Sequence, residues 1–276
     1  MRILALVPGG IGDQILFFPT LADLKATYPD ATIDVIVEPR ARGAYRLCPW
    51  VSGVQTFDYK GRSSAADIIN FLGNIRDREY DVALSLGSRW TVGFLLWLNG
   101  IPRRIGYQSA GRFFLTDTVA LNPEQYAASL YHDLLKGLGI QTPSPIPQVS
   151  VPKPDIAWAE AEQERLDLKG KSYVLIHGGS SQLARTKGID KIYPVAKWQQ
   201  IIADIQVKQP QLPIAVLQGP EDAEWVAELQ EKAPDIKVIQ PPDLGKLAAT
   251  IGGASLMLCT DSAPMHLSVA VGTYTI

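Results

Sequence analysis

What most constrains this chain is an alternation. Short apolar runs rich in β-branched residues recur along it, each followed by a longer amphipathic stretch, which is the pattern of βαβ units with parallel strands. In the first half, strands are predicted near 2–7, 32–37, 54–58 and 82–86, and helices near 12–27, 65–78, 90–98 and 129–138. The stretch Gln141-Thr142-Pro143-Ser144-Pro145-Ile146-Pro147 then breaks every periodicity, with Pro152 and Pro154 close behind it. Beyond it the alternation restarts with helix 156–166, strand 173–177, helix 195–208, strand 214–217, helix 222–232, strand 236–239, helix 244–251, strand 256–259 and helix 263–271. The expectation is an α/β protein of two tandem Rossmann-like domains, 1–145 and 155–276, joined by a Pro-rich linker over 146–154. Thr273-Tyr274-Thr275-Ile276 reads as the opening of another strand, so the second domain is expected to be incomplete and the chain truncated.

With 276 residues, 46% of them hydrophobic, the chain can bury two cores. A formal charge of −2 argues against nucleic acid as the main partner. Cys48 and Cys259 show neither metal-ligand spacing nor a disulfide framework, which fits a reducing cytoplasm. The apolar start is stopped by Pro8-Gly9-Gly10, and the apolar run Val92 to Leu98 by Asn99-Gly100-Ile101-Pro102. Neither is long enough for a membrane span.

Open α/β sheets bind ligands beyond the carboxyl ends of their strands, so the loops after strands are the places to look. The first is Pro8-Gly9-Gly10-Ile11-Gly12-Asp13. It is a poor dinucleotide fingerprint, because Ile15 stands where the third glycine belongs. Asp13 places a carboxylate at a helix start, where it serves either as a cap or, facing a cleft, as a general base. The second loop, His177-Gly178-Gly179-Ser180-Ser181, runs through Arg185, Lys187 and Lys191 to Tyr193-Pro194 and Trp198. Hydroxyls, backbone N–H groups and a lysine suit a diphosphate, and equally suit a solvated loop. Gly170-Lys171-Ser172 precedes its strand and is no phosphate loop. The third loop, Thr260-Asp261-Ser262-Ala263-Pro264-Met265-His266, opens a helix whose N–H groups could face an anion; by themselves Asp261 reads as a cap and His266 as a packed residue.

Together these segments resemble glycosyltransferase family 9, the ADP-heptose:lipopolysaccharide heptosyltransferases. The resemblance rests on Gly12-Asp13 at the first helix, the strand followed by Gly178-Gly179-Ser180-Ser181, the spacing from Lys191-Ile192-Tyr193-Pro194 to Trp198, Gly219-Pro220-Glu221-Asp222, and Thr260-Asp261-Ser262 with His266. It implies a fold of the GT-B type, with an acceptor-binding first domain and a sugar-nucleotide-binding second one. It also implies an inverting transfer without metal or other cofactor, from an ADP-sugar donor to a lipopolysaccharide-type or other cell-envelope saccharide. On that resemblance Asp13 is the catalytic base. Ser180, Ser181 and Lys191, with the helix start at Ser262, Ala263 and His266, hold the diphosphate; Asp261 holds the donor sugar, and Glu221 or Asp222 the ribose. Ala263 departs from the glycine usual in the family. The implied place is the cytoplasm, with room for peripheral contact at the inner membrane.

Eleven arginines lie in residues 1–150 and two beyond. Arginine suits carboxylate and phosphate recognition, so Arg40, Arg62, Arg103 and Arg104, read as lying in loops after strands, are candidates for holding an anionic acceptor; the plainer reading is ordinary surface cations. Two other classes stay open: a non-catalytic sugar-nucleotide-binding or scaffold protein, and a sugar-nucleotide epimerase of the same architecture.

Overall fold

A computed structural model describes residues 1–58, 64–109, 112–179 and 192–276. Arg62, Ser180, Ser181 and Lys191, with Arg185 and Lys187, lie outside the described residues. Contacts divide the chain into two units, Met1–Pro147 and Gln148–Ile276.

Unit 1 holds one six-stranded parallel sheet. Its strands are β1 (Arg2–Val7), β2 (Thr32–Val37), β3 (Gly53–Thr56), β4 (Val82–Ser85), β5 (Arg103–Tyr107) and β6 (Asp117–Val119), in the order β3-β2-β1-β4-β5-β6. Every residue of β1 from Ile3 to Val7 is buried, which is what a central parallel strand covered on both faces requires. Burying one such aliphatic side chain is worth roughly 1.5–3 kcal/mol, so these runs dictate which strands lie in the middle. The helices are α1 (Ile11–Thr27), α2 (Ala65–Arg76), α3 (Trp90–Leu98) and α4 (Ala127–His132), with 3-10 turns at Pro39–Leu47, Arg112–Phe114 and Asp133–Leu138.

Unit 2 repeats the plan with four parallel strands, β7 (Val174–His177), β8 (Ile214–Leu217), β9 (Lys237–Ile239) and β10 (Leu256–Cys259), in the order β10-β7-β8-β9. Its helices are α5 (Lys153–Arg165), α6 (Val195–Lys208), α7 (Ala223–Lys232), α8 (Leu244–Gly252) and α9 (Ala263–Val271). Helix α5 takes in the last two residues of the expected linker. Residues 274–276 pair with β10, Met257 N–H donating to the Tyr274 carbonyl (2.8 Å) and Ile276 N–H to the Met257 carbonyl (2.9 Å).

The expected elements match these closely, but β5 and β6 are additions. β5 also corrects two assignments: Arg103 and Arg104 are not in a loop after a strand. They open β5, paired with Val82 and Ala83 at the amino ends of the strands, away from the carboxyl ends where ligands bind.

In each sheet the first strand of the unit has the next strand on one side and a later one on the other. The order therefore reverses between β1 and β4 in unit 1, and between β7 and β10 in unit 2. At such a switch point the connections leave in opposite directions and open a crevice at the carboxyl ends of the two strands. Asp13, in the first turn of α1, and Ser262, the N-cap of α9, lie at these two crevices.

Candidate functional site

In unit 1 the chain leaves β1 through Pro8-Gly9-Gly10 into α1. Gly9 has φ +129°, a conformation side chains rarely adopt, and a Cβ there would stand 2.3 Å from Asp13 Oδ2. The space is occupied by the Asp13 carboxylate itself, which turns back across the helix start. Its Oδ2 accepts the Gly10 N–H (2.7 Å) and its Oδ1 accepts the Tyr131 hydroxyl (2.9 Å). An ionised carboxylate has about four lone-pair sites, so two donors orient this group and leave it able to accept a proton.

Tyr131, on α4, is 118 residues from Asp13. What brings it there is its neighbour: His132 Nε2 meets Asp23 Oδ2 of α1 at 2.9 Å, and Thr142 donates to the same oxygen at 2.6 Å. Burial, and then the Asp13 charge, push the Tyr131 phenol above its ordinary value, so it stays a donor through the neutral range. Buried Gln14 fixes the other side of the loop, donating to the Val7 and Gly10 carbonyls (3.2 Å each) and accepting from the Tyr45 hydroxyl (2.8 Å).

Beside this loop, at the β1–β4 switch point, is a cavity of about 450 Å³ whose lining includes Gly9, Glu38, Ser85 and Arg89, with Val92 and Leu95 of α3. Of the arginine candidates, Arg40 belongs here: it pairs with buried Glu38 (3.1 Å), and its guanidinium stands beside Gly10. Arg103 and Arg104 do not. Arg103 bonds Asp117 Oδ2 (3.2 Å) and the Gly137 carbonyl (2.5 Å), while Arg104 bonds the Phe114 carbonyl (2.7 Å) and that of Ile101. They tie β5 to its surroundings.

In unit 2 the loops after β7 and β10 are linked by hydrogen bonds across the switch point. The Ser262 hydroxyl bridges His177 Nδ1 (3.2 Å) and the Thr260 carbonyl (3.1 Å), and the Thr260 hydroxyl donates to the Gly179 carbonyl (3.0 Å). On its other side His177 Nε2 meets Asp222 Oδ2 at 3.3 Å, and that oxygen also accepts the Gly219 N–H (2.9 Å). Burial raises the Asp222 carboxyl, but the bond and charge of His177 together with the Gly219 N–H outweigh it and hold it below the usual carboxylate range.

Two of the expected site residues face inward. Asp222 is buried and committed to His177, so of the two residues expected at the ribose only Glu221 is exposed. Ser262 is the N-cap of α9, yet its hydroxyl makes no cap bond and is engaged inward. Pro264 has no N–H to give, and Met265 and His266 N–H both return to the Ser262 carbonyl, so what the first turn of α9 has for an anion is the Ala263 N–H and the helix dipole. Ala263 opens that first turn, and His266 Nε2 stands 3.9 Å from Asp261 Oδ1. Asp261 and Thr260 also line an open cavity of about 600 Å³ together with Ile192, Tyr193, Trp198 and Cys259.

Gly178 and Gly179, in the loop read as suited to a diphosphate, have a packing duty. A Cβ on Gly178 would lie 2.2 Å from Trp225 Cζ2 and 2.5 Å from Trp198 Nε1, and one on Gly179 would lie 1.9 Å from Asp222 Oδ1. Sequence reasoning missed Tyr131, Gln14 and the His177–Asp222 pair. His177 lay in a motif singled out for its glycines and serines; nothing local marks the others.

The family model for glycosyltransferase family 9 (heptosyltransferase) matches residues 68–276. A lipopolysaccharide heptosyltransferase 3 of Escherichia coli is 25% identical over 278 residues, covering 95% of this chain and 78% of the relative. A chloroplastic photosynthetic NDH subunit of subcomplex B 1 from Arabidopsis thaliana is 24% identical over 291 residues, covering 98% of this chain and 62% of its own length. The solved structure of an E. coli ADP-heptose lipopolysaccharide heptosyltransferase II superposes with a TM-score of 0.79 at 19% identity, covering all of this chain and 83% of that one. The two parallel sheets are thus those of the GT-B heptosyltransferase fold.

Proposed function

This chain belongs to glycosyltransferase family 9, and from that premise we propose that it is an inverting enzyme moving heptose from ADP-heptose to a lipopolysaccharide-type saccharide at the cytoplasmic face of the inner membrane. One observation carries the reading: the carboxylate of Asp13, at the carboxyl end of the central strand, is oriented by two donors and keeps lone pairs for a third. Asp13 removes the proton of the acceptor hydroxyl as that oxygen attacks the anomeric carbon from the face opposite the leaving ADP, and the configuration inverts. The bond that breaks leaves negative charge on the diphosphate. The backbone end of α9 meets that charge, helped by Ser180, Ser181 and Lys191, while Asp261 holds the sugar and Glu221 the ribose. On this reading the protein's own donors stabilise the leaving group and no metal is required. Arg40 faces an acidic group of the acceptor.

The test is transfer from ADP-heptose to a heptose-deficient lipopolysaccharide core, with Asp13→Asn. Loss of a general base costs roughly 10²–10⁴-fold in kcat, with ADP affinity unchanged. Titration with ADP, UDP and GDP identifies the base, and Lys191→Ala weakens the nucleotide that binds. A second reading, a non-catalytic subunit, has the Arabidopsis relative in its favour. It requires that no transfer occur and that Asp13→Asn be silent. An epimerase would convert the sugar nucleotide without any acceptor.

A further inference from the structure

Helix α3 is nine residues long, Trp-Thr-Val-Gly-Phe-Leu-Leu-Trp-Leu, and is apolar nearly all round. Such a helix is ordinarily buried, yet Trp90, Trp97 and Leu98 are each more than half exposed. The 3-10 turn Arg112–Phe114 continues the same face. Phe114 packs edge-on against Phe94 at 5.3 Å between ring centroids and lies 6.1 Å from Trp97, while Phe113, 82% exposed, carries the Arg112 guanidinium 5.3 Å above its ring. The result is a contiguous aromatic surface.

Its charge is one-sided. Between Asp81 and Asp117 the sequence has no acidic residue and four arginines, Arg89, Arg103, Arg104 and Arg112. Arg103 and Arg104 are turned to carbonyls and Asp117, whereas Arg89, at the N-cap of α3, and Arg112 are exposed. Tryptophan and phenylalanine beside guanidinium groups, with no acid near them in sequence, make the composition that settles at the boundary between anionic headgroups and acyl chains. No helix among the described residues is long and apolar enough to cross a membrane, so contact at this face is peripheral.

We propose that the outer face of α3 and the turn Arg112–Phe114 form a docking surface for an anionic lipid bilayer. The proposal deepens the transferase reading and rests on it for the lipid-linked acceptor, but the surface is argued from its own residues. Its consequence is positional. The opposite side of α3 contributes Val92, Leu95 and Leu96 to the cavity at the β1–β4 switch point. Docking therefore sets that crevice within about one helix diameter, roughly 10 Å, of the lipid.

The test is cosedimentation of the whole chain with vesicles of phosphatidylcholine alone and of phosphatidylcholine containing a third phosphatidylglycerol, at low and high salt. Binding is expected to the anionic vesicles, weakened by salt. Arg112→Ser should reduce it roughly fivefold, and Phe113→Ser roughly tenfold. Phe113 is so exposed that its replacement does not threaten the fold, and circular dichroism checks this. In vesicles carrying brominated lipid, tryptophan emission should be quenched, and less so in Trp97→Phe. Equal binding by wild type and Phe113→Ser, or no binding by a folded chain to either vesicle, overturns the proposal. So does a concentration-dependent dimer abolished by Phe113→Ser, which would give the face to a second copy. Because the assay uses no donor, vesicle binding without any transfer would leave the surface standing and remove the transferase reading, whereas transfer to a soluble core fragment without vesicle binding would do the reverse.

Discussion

Gly178→Ala is a small change with a calculable cost. Its methyl would come 2.2 Å from Trp225 Cζ2, 2.5 Å from Trp198 Nε1 and 2.9 Å from Trp225 Cε2. Carbon atoms in good contact lie about 3.5–4.0 Å apart, so the overlap is more than 1 Å. Both indoles are buried, and they brace each other at 83° with centroids 6.3 Å apart. Overpacking of this kind costs about 1–3 kcal/mol, sometimes more. At about 2–4 °C per kcal/mol for a chain of this size, the thermal midpoint should fall by roughly 2–12 °C, read by calorimetry or circular dichroism.

Trp225→Phe supplies the control. It removes both Trp225 atoms that the methyl meets, and also Nε1, a buried donor without a hydrogen-bond partner among the described residues. Alone it should be close to neutral, because about 1–3 kcal/mol of unsatisfied donor is exchanged for lost ring packing of similar size. Combined with Gly178→Ala it should recover part of the stability, the approach to Trp198 Nε1 remaining, and give a coupling of about 1 kcal/mol or more in the double-mutant cycle. The reasoning fails if Gly178→Ala leaves the midpoint within about 1 °C while nucleotide binding disappears. The glycine would then exist for the ligand's approach and not for the tryptophans.

Arg104→Ala should lower stability by about 1–2 kcal/mol through the carbonyls it leaves without a donor, and should not change the acceptor KM, as denaturant titration and steady-state kinetics would show. Asp222→Asn should destabilise the chain by about 1–3 kcal/mol at neutral pH. Because the folded-state value is depressed, this contribution exists above the ordinary carboxylate range and is lost as pH falls through the depressed one, so wild type and variant should converge below about pH 4 in acid titrations of stability. Burial pushes the Cys48 thiol up to about 12 and, with the charge of Asp261 adding to it, the Cys259 thiol up to about 11. Both should alkylate at pH 8 at least about tenfold more slowly than a free cysteine, and normally once unfolded, as mass spectrometry would record.

The strands at the middle of each sheet were legible because a parallel strand covered on both faces must be a continuous apolar run; Ile3–Val7, Val35–Val37 and Val174–Ile176 are such runs. β5 escaped because it opens on two arginines, which look like loop residues until the carbonyls of Ile101, Phe114 and Gly137 are seen to receive them. Asp13 could be singled out from its place after a strand and before a helix. Its orienting partner could not, since Tyr131 is held there by contacts distant in sequence, His132 to Asp23 and the Tyr107 hydroxyl to the Leu130 carbonyl, which no local pattern encodes. Asp222 was visible as an acid in a loop, but a side chain's direction is set by what lies behind it. Here that is His177, 45 positions away.

The two sheets run their strands in the same sequence around a first strand, and each keeps its chemistry in the two loops that flank the reversal. The side-chain bonds that hold each crevice lie within its own unit, so the two can be altered separately. Changes that retune the crevice beside β1 need not disturb the ring, carboxylate and hydroxyl that His177, Asp222 and Ser262 join beside β7. On the transferase reading, a change of acceptor is then open to the first unit while the donor chemistry of the second stands still.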